Sequence, residues 1–350
     1  MLEPRAAVRQ MAPYSPPTGG REGKLRLDFN ENTVGCSPRV IETLQKYLTA
    51  DHLSIYPEYL EAMHDLAKFF GVAKDEFAMT NGTDEAIQVL VNTYVDDGDD
   101  VLLLRPSYAM YRFYSEVAGA SVRELDYIPG TLAFPIDNLL EALRPETRAV
   151  LIANPNNPTG TGVDLDNIRL ILETVPDAAV LIDEAYFEFS GVTALPWIRK
   201  FPNLFVSRTF SKTYGMAAMR CGCIFSHKEN IQWLRKAQSP YSVNMLAAVA
   251  ARAAVEDREY VARYVGEVLA ARELAYVGLE RLGIPYIPSQ ANFVLFQAGD
   301  RSIPIRDALR ERGVLIRDRS YEIPGCVRVT IGTRQQVQRF LDELEKLWTR

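Results

Sequence analysis

Between residues 80 and 245, short apolar runs alternate with segments of helical periodicity, and this alternation constrains the fold more than any other feature of the chain. The runs at 101–104, 149–153, 179–183, 204–207 and 221–225 are apolar almost throughout. A strand with one face in water alternates apolar and polar residues, whereas a strand covered on both faces need not. Helical patterns at 83–95, 109–117 and 164–173 separate the runs. The expectation is an α/β domain with a mostly parallel mixed sheet in an α/β/α arrangement.

The 350 residues suggest two domains at roughly 150 residues each. The Pro- and Gly-rich residues 1–35 read as an arm that joins the small domain, with a short strand near 25–29. Ser37-Pro38 opens a helix whose apolar stripe is Val40, Ile41, Leu44, Tyr47 and Leu48. A second helix, 58–70, stops at Gly71. The large domain spans 36–245. A helical stretch at 243–281, divided or bent at Gly266 and Gly278, supplies the connecting region 246–281. A smaller α/β domain fills 282–350, with strands at 292–296, 314–316 and 327–330 and helices near 303–311 and 335–348.

Net charge is −6, which excludes a broadly basic nucleic-acid footprint but leaves room for a local arginine cluster around a small anion. No apolar stretch approaches the ~18 residues of a membrane span, and the first twenty residues lack the apolar core of a signal peptide, so the cytoplasm is expected. Cys221 and Cys223 read as a buried thiol pair on one strand face, with a ligand or redox role as the alternative. The remaining cysteines and the three histidines form no second cluster, and no metal is expected.

Several positions where strands end carry chemistry. In Ser207-Arg208-Thr209-Phe210-Ser211-Lys212, followed by Arg220, hydroxyls and a guanidinium could bind a phosphate ester while the lysine forms an imine with an aldehyde. An exposed basic loop is the plain alternative. Asn81-Gly82-Thr83-Asp84-Glu85 opens a helix whose free N–H groups suit a phosphate, or is simply a helix cap. Asp183 ends the run at 179–183, where a carboxylate could hold a ring nitrogen protonated; Glu184, Tyr186 and Glu188 share its loop. Asn157 lies in a Pro- and Gly-rich turn at 154–160 that could present its amide or do nothing but turn. Tyr108 could stack on a planar ring or fill a core, and Tyr56-Pro57 reads as a loop. Arg328, in an alternating strand, and Arg317, at the end of another, could each clamp an anion or stand on the surface.

Taken in order, LDFNEN at 27–32, NGTDE at 81–85, Pro106-Ser107-Tyr108-Ala109-Met110-Tyr111, NPNNPTG at 154–160, DEAYFEF at 183–189, SRTFSK at 207–212, Arg220 and CVRVTIGT at 326–333 make a pattern. The chain resembles the fold-type-I pyridoxal-phosphate aminotransferases over nearly its whole length, and within them most closely the histidinol-phosphate aminotransferase family. The resemblance implies that Lys212 holds pyridoxal 5'-phosphate covalently and that Asp183 pairs with its ring nitrogen. Asn157 and Tyr186 then address the ring's phenolic oxygen, and Tyr108 stacks over the ring. The cofactor phosphate lies among the N–H groups of Thr83 and Asp84, the hydroxyls of Thr209 and Ser211, and Arg220. Tyr56 reaches the neighbouring subunit's cofactor phosphate, which implies a homodimer. Arg328 takes the substrate carboxylate, Arg317 the substrate phosphate, and Asn32 and Tyr14 are further substrate-side candidates.

The activity implied is reversible transfer of the amino group of glutamate to imidazole-acetol phosphate in histidine biosynthesis, with Lys212 also moving the protons. An aromatic amino-acid aminotransferase and a threonine-phosphate decarboxylase share most of this set, and a scaffold without catalysis is the reading from a different class. One departure from the family pattern is Met216-Ala217-Ala218-Met219-Arg220, where Ala218 replaces a glycine and should add a methyl at a tight packing point.

Overall fold

The computed structural model describes residues 2–12 and 19–349. Its strands are β1 (Leu25–Arg26), β2 (Phe77–Thr80), β3 (Asp100–Arg105), β4 (Ser121–Asp126), β5 (Thr147–Ala153), β6 (Ala179–Asp183), β7 (Leu204–Thr209), β8 (Gly222–Ser226), β9 (Tyr286–Ile287), β10 (Phe293–Gln297), β11 (Val314–Leu315), β12 (Arg317–Asp318) and β13 (Cys326–Thr330). Seven of them form one sheet in the order β2-β8-β7-β6-β5-β3-β4. The pairs β3–β4, β3–β5, β5–β6 and β6–β7 are parallel, while β8 runs antiparallel to both its neighbours.

The apolar runs are continuous because this sheet has a core on each face. Leu102, Val150, Ile152, Val180, Ile182 and Val206 point to one side, against helices Leu165–Thr174 and Met245–Glu256. Leu103, Leu151, Leu181 and Phe205 point to the other, against helix Gly82–Tyr94. Alternate residues of one strand thus serve two cores. Cys221 and Cys223 are buried free thiols within the first of these cores, and burial pushes both pKa values up.

The parallel strands all end at one edge. β2 feeds directly into helix Gly82–Tyr94, β3 leads to Tyr108, β5 to Asn157, β6 ends on Asp183 and β7 on Thr209. Antiparallel β8 starts at the same edge, just after Arg220. Ligands of open α/β sheets sit at such carboxyl ends.

A second, four-stranded antiparallel sheet, β12-β13-β10-β9, packs on helices Arg258–Arg281 and Arg334–Trp348 through Phe293, Phe296, Val268, Leu279, Phe340 and Leu341. Tyr186 and Phe189 belong to this second core although they come after β6 of the large sheet, so the two cores meet beside Asp183. β1 pairs in parallel with β11, which ties the N-terminal segment to the C-terminal part of the chain.

Several expectations need correction. The long helical stretch breaks at Asp257, which caps the helix Arg258–Arg281 by accepting from the Tyr260 N–H; that helix runs unbroken through Gly266 and Gly278. Gly278 is instead a packing position, because a Cβ there would collide with the Leu341 side chain. In helix Pro38–Tyr47 only Val40 is buried, and Ile41 and the following Leu48 face outward from the single chain. Ala218 is exposed, so its methyl meets no tight packing point. β2 and β4 and a short helix, Ala6–Gln10, were not anticipated. Tyr14 lies outside the described residues.

Candidate active site

A cleft of about 710 Å³ opens where the carboxyl edge of the large sheet faces the four-stranded sheet and the segment after β1. It brings together Thr83, Asp84, Tyr108, Asn157, Asp183, Tyr186, Thr209, Ser211, Lys212, Arg220, Arg317 and Arg328, residues spread across most of the sequence. Two of the sequence candidates lie elsewhere. Asn32 is buried but does not line the cleft; its amide donates to the Thr213 carbonyl and its oxygen accepts from the Val34 and Gly35 N–H groups, so it holds a loop together. Tyr56 is 76% exposed, stands against Tyr241, and lines a separate cavity with His52, Ile55 and Leu60.

At the floor of the cleft Asp183 is buried at the end of β6. Tyr111 donates to one of its oxygens and Ser207 to the other, both at 2.8 Å. Burial pushes its pKa up to about 6, against the opposing pull of these two donors. A desolvated carboxylate so placed gains most by facing a cation.

Lys212 comes after β7, and its amine donates to the Phe29 carbonyl at 3.0 Å. The amine stands 5.8 Å from the centre of the Tyr186 ring. Asn30 donates to the Tyr186 hydroxyl at 2.9 Å, which leaves the phenolic hydrogen for another acceptor. The Asn157 oxygen accepts from Arg328, and its amide nitrogen donates to no other described residue.

At the far end, helix geometry leaves the N–H groups of Gly82, Thr83 and Asp84 without intrahelical acceptors. Gly82 has φ +76°, and a Cβ on it would lie 2.5 Å from Nη2 of Arg220. Gly222 opposite is equally constrained, since its Cβ would lie 2.8 Å from the Gly82 carbonyl carbon. The two glycines let the helix start, Arg220 and the β8 backbone approach one another. Arg220 donates to Asp84 at 3.1 Å, and Tyr108 donates to the other Asp84 oxygen at 2.7 Å. This cup of N–H groups, hydroxyls and a guanidinium suits a phosphate. With an amine and a buried carboxylate beside it, the residues fit a phosphorylated pyridine aldehyde.

The mouth is rich in arginine. Arg328 is buried and donates to the Asp28 carbonyl at 2.8 Å as well as to Asn157. Burial, with Arg319 and Arg317 nearby, pushes its pKa down to about 10. The Arg317 guanidinium donates to no described acceptor and has the Phe29 ring 5.5 Å away. Arg21 lies 4.4 Å from the same ring, paired with Asp28 and Glu31. The sequence gives no role to Arg21, Asn30, Tyr111, Arg319 and Glu322, and Ser207, named there for its hydroxyl, serves Asp183 and not a phosphate. Asn30 and Tyr111 sat inside quoted motifs, whereas Arg21 and Arg319 carried no signal of their own.

The chain matches the family model "Aminotransferase class I and II" over residues 22–344. It is 36% identical over 359 residues to a histidinol-phosphate aminotransferase of Symbiobacterium thermophilum, covering 99% of this chain and 98% of that protein. A histidinol-phosphate aminotransferase of a Geobacillus species is 32% identical over 362 residues, with the same two coverages. Among solved structures, the histidinol-phosphate aminotransferase of Sinorhizobium meliloti, in complex with pyridoxal-5'-phosphate, superposes with a TM-score of 0.89 over 99% of this chain and 97% of that one, at 21% identity.

Proposed function

The chain belongs to the class I and II aminotransferases, and from that premise we propose that it moves the amino group of L-glutamate onto imidazole-acetol phosphate, giving L-histidinol phosphate and 2-oxoglutarate, with pyridoxal 5'-phosphate as cofactor. The reaction is reversible and belongs to histidine biosynthesis. The observation that carries the substrate assignment is the group of arginines at the mouth of a cleft whose floor already holds Lys212 and Asp183. A phosphorylated acceptor uses such a receptor; phenylpyruvate brings only a carboxylate.

Lys212 would hold the cofactor covalently, with Asp183 keeping a proton on the ring nitrogen. Asn157 and Tyr186 would donate to the phenolic oxygen, and Tyr108 would cover the ring. The first-turn N–H groups of Thr83 and Asp84, the hydroxyls of Thr209 and Ser211, and Arg220 would take the cofactor phosphate. When bound, the cofactor supplies a cationic ring that accepts the electron pair left at the substrate's α-carbon. The Lys212 amine would take the proton from the donor's α-carbon and deliver it to the cofactor, and would run the same transfer in reverse for the acceptor. Arg328 orients the donor by its α-carboxylate, and Arg317 receives the phosphate of the acceptor.

In this reading residues 36–245 carry the cofactor, 282–350 with the arm 1–35 supply the anion receptor, and 246–281 join them. The working form is a homodimer in the cytoplasm, in which Tyr56 reaches the partner's cofactor phosphate. Exposed Ile55 and Leu60, which line one cavity with Tyr56, and exposed Ile41, Leu48 and Leu53 elsewhere in residues 41–60 support the dimer, since a folded chain seldom leaves so many large apolar side chains in water. No helix among the described residues is long and apolar enough to cross a membrane.

A matched assay with glutamate as donor tests the substrate. Imidazole-acetol phosphate should exceed phenylpyruvate in kcat/KM by at least about tenfold, the worth of one charge-assisted contact. Equal values would overturn the assignment, and carbon dioxide release without 2-oxoglutarate would replace it with a decarboxylase.

A further inference from the structure

A third arginine faces the cleft beside Arg317 and Arg328. Arg319 is only 9% exposed, and its Nε is buried with no acceptor among the described residues. Its backbone is pinned independently of its side chain. The Arg319 N–H donates to the Cys326 carbonyl at 3.0 Å, and its carbonyl accepts from the N–H groups of Glu322 at 3.0 Å and Ile323 at 2.9 Å. The turn so formed places Glu322 back over Arg319, and the two side chains form an ion pair inside the cleft. The Tyr321 ring, 5.3 Å away, flanks the guanidinium.

The neighbours give this pair its meaning. The Nε of Arg328 is likewise buried without an acceptor, and Arg317 has none at all among the described residues. Three guanidiniums in one partly dry corner repel one another, and a lone carboxylate from the same turn offsets part of that repulsion. A carboxylate carries one negative charge; a phosphate monoester carries about 1.5 to 2 and three acceptor oxygens. Phosphate can therefore take a guanidinium from a resident carboxylate where a second carboxylate gains little by the exchange.

We propose that Arg319 is a specificity-determining residue that reads the acceptor's phosphate, and that Glu322 is its resident counter-ion, yielding the guanidinium when the phosphate arrives. This rests on the phosphorylated-acceptor reading above. It adds to Arg317 and Arg328 a third group and a discriminating element, because Glu322 resists carboxylates more than phosphates.

The test uses the cofactor-loaded enzyme with glutamate as donor. It measures kcat/KM for imidazole-acetol phosphate and phenylpyruvate, and the inhibition constant of inorganic phosphate, in the wild type and in R319Q, R319K and E322Q. R319Q should lower the ratio of the two kcat/KM values by roughly tenfold and raise the phosphate inhibition constant by a similar factor. R319K should recover part of both. E322Q should lower the phosphate inhibition constant several-fold, a gain that a merely folding-impaired variant cannot mimic. If R319Q leaves both quantities within about twofold of wild type, or E322Q weakens phosphate as R319Q does, the pair is a structural turn and the inference fails. A wild type without preference for the phosphorylated acceptor would remove the substrate reading alone, and the phosphate inhibition constants would still decide Arg319.

Discussion

Tyr111 donates a 2.8 Å hydrogen bond to Asp183 from the helix Ala109–Ala118, to the carboxylate oxygen that Ser207 leaves free. Both partners of the bond are buried, so the carboxylate is aimed into the cleft by the fold itself. Tyr111→Phe keeps the ring packing and removes the donor. A hydrogen bond to a charged group contributes about 1.5–3 kcal/mol, so cofactor affinity should fall roughly tenfold or more. Absorbance titration of the cofactor-free protein measures this; an unchanged dissociation constant would mean that Ser207 alone suffices.

Asp183 also makes a pH signature. Its folded pKa is raised to about 6 from an ordinary 3.8, so its contribution to stability is fully present below 3.8 and is lost as pH rises through about 6. At about 1.36 kcal/mol per pH unit the loss is on the order of 3 kcal/mol. Asp183→Asn does not titrate. Urea unfolding of cofactor-free wild type and D183N at several pH values between about 4 and 7 should show the variant gaining on the wild type as pH rises. A constant gap across that range would contradict the raised value.

Gly222→Ala should be poorly tolerated. The new Cβ would meet backbone atoms, 2.8 Å from the Gly82 carbonyl carbon and 2.9 Å from the Thr83 nitrogen, which no rotamer change relieves. The start of helix Gly82–Tyr94 must shift, and with it the phosphate cup. Cofactor affinity should drop by at least about tenfold with a lowered melting temperature. Gly266→Ala is the control: nothing lies within 4 Å of its Cβ, and it sits inside a helix, so it should stabilise by about 0.5–1 kcal/mol. A G222A protein that binds cofactor like wild type would show that the strand edge can yield.

Leu60, which is 78% exposed, and Ile55, which lines the same cavity with Tyr56, mark where an assembly is predicted. Ile55→Asp with Leu60→Asp should convert a dimer to a monomer in light scattering after gel filtration, with secondary structure intact. Activity should fall with the dimer if Tyr56 serves the neighbouring site. An unchanged particle mass would send the interface to another face.

Much of the cleft was legible because its residues cluster in short motifs just past apolar runs. Asp183 and Lys212 stand at or just beyond strands whose burial on both faces writes itself as continuous hydrophobicity. The charged edge strand β4, Ser121–Asp126, did not read as a strand. Its Arg123, Glu124 and Asp126 make ion pairs with Asp100, Arg112 and Arg105, as an exposed edge favours, and so hide the period. Gly266 and Gly278 read as breaks because glycine is a poor helix former, but a close crossing by Leu341 accounts for Gly278 and tertiary packing carries the helix through. Asn32 belonged to a recognised motif, yet motif membership does not say which way a side chain turns, and it turned into the loop. Arg319 and Arg21 become visible only when the second sheet and the N-terminal segment are folded against the first.

The two-residue pairing of β1 with β11 sets an order on how the enzyme is made. Phe29 and Asn30, which touch Lys212 and Tyr186, hang from a strand whose only pairing partner among the described strands is Val314–Leu315. That wall of the pocket has no strand to dock on until Val314 and Leu315, far along the chain, have been made. A chain cut short before Val314 would leave Phe29 and Asn30 without the strand that anchors them, and one side of the reaction chamber unbuilt.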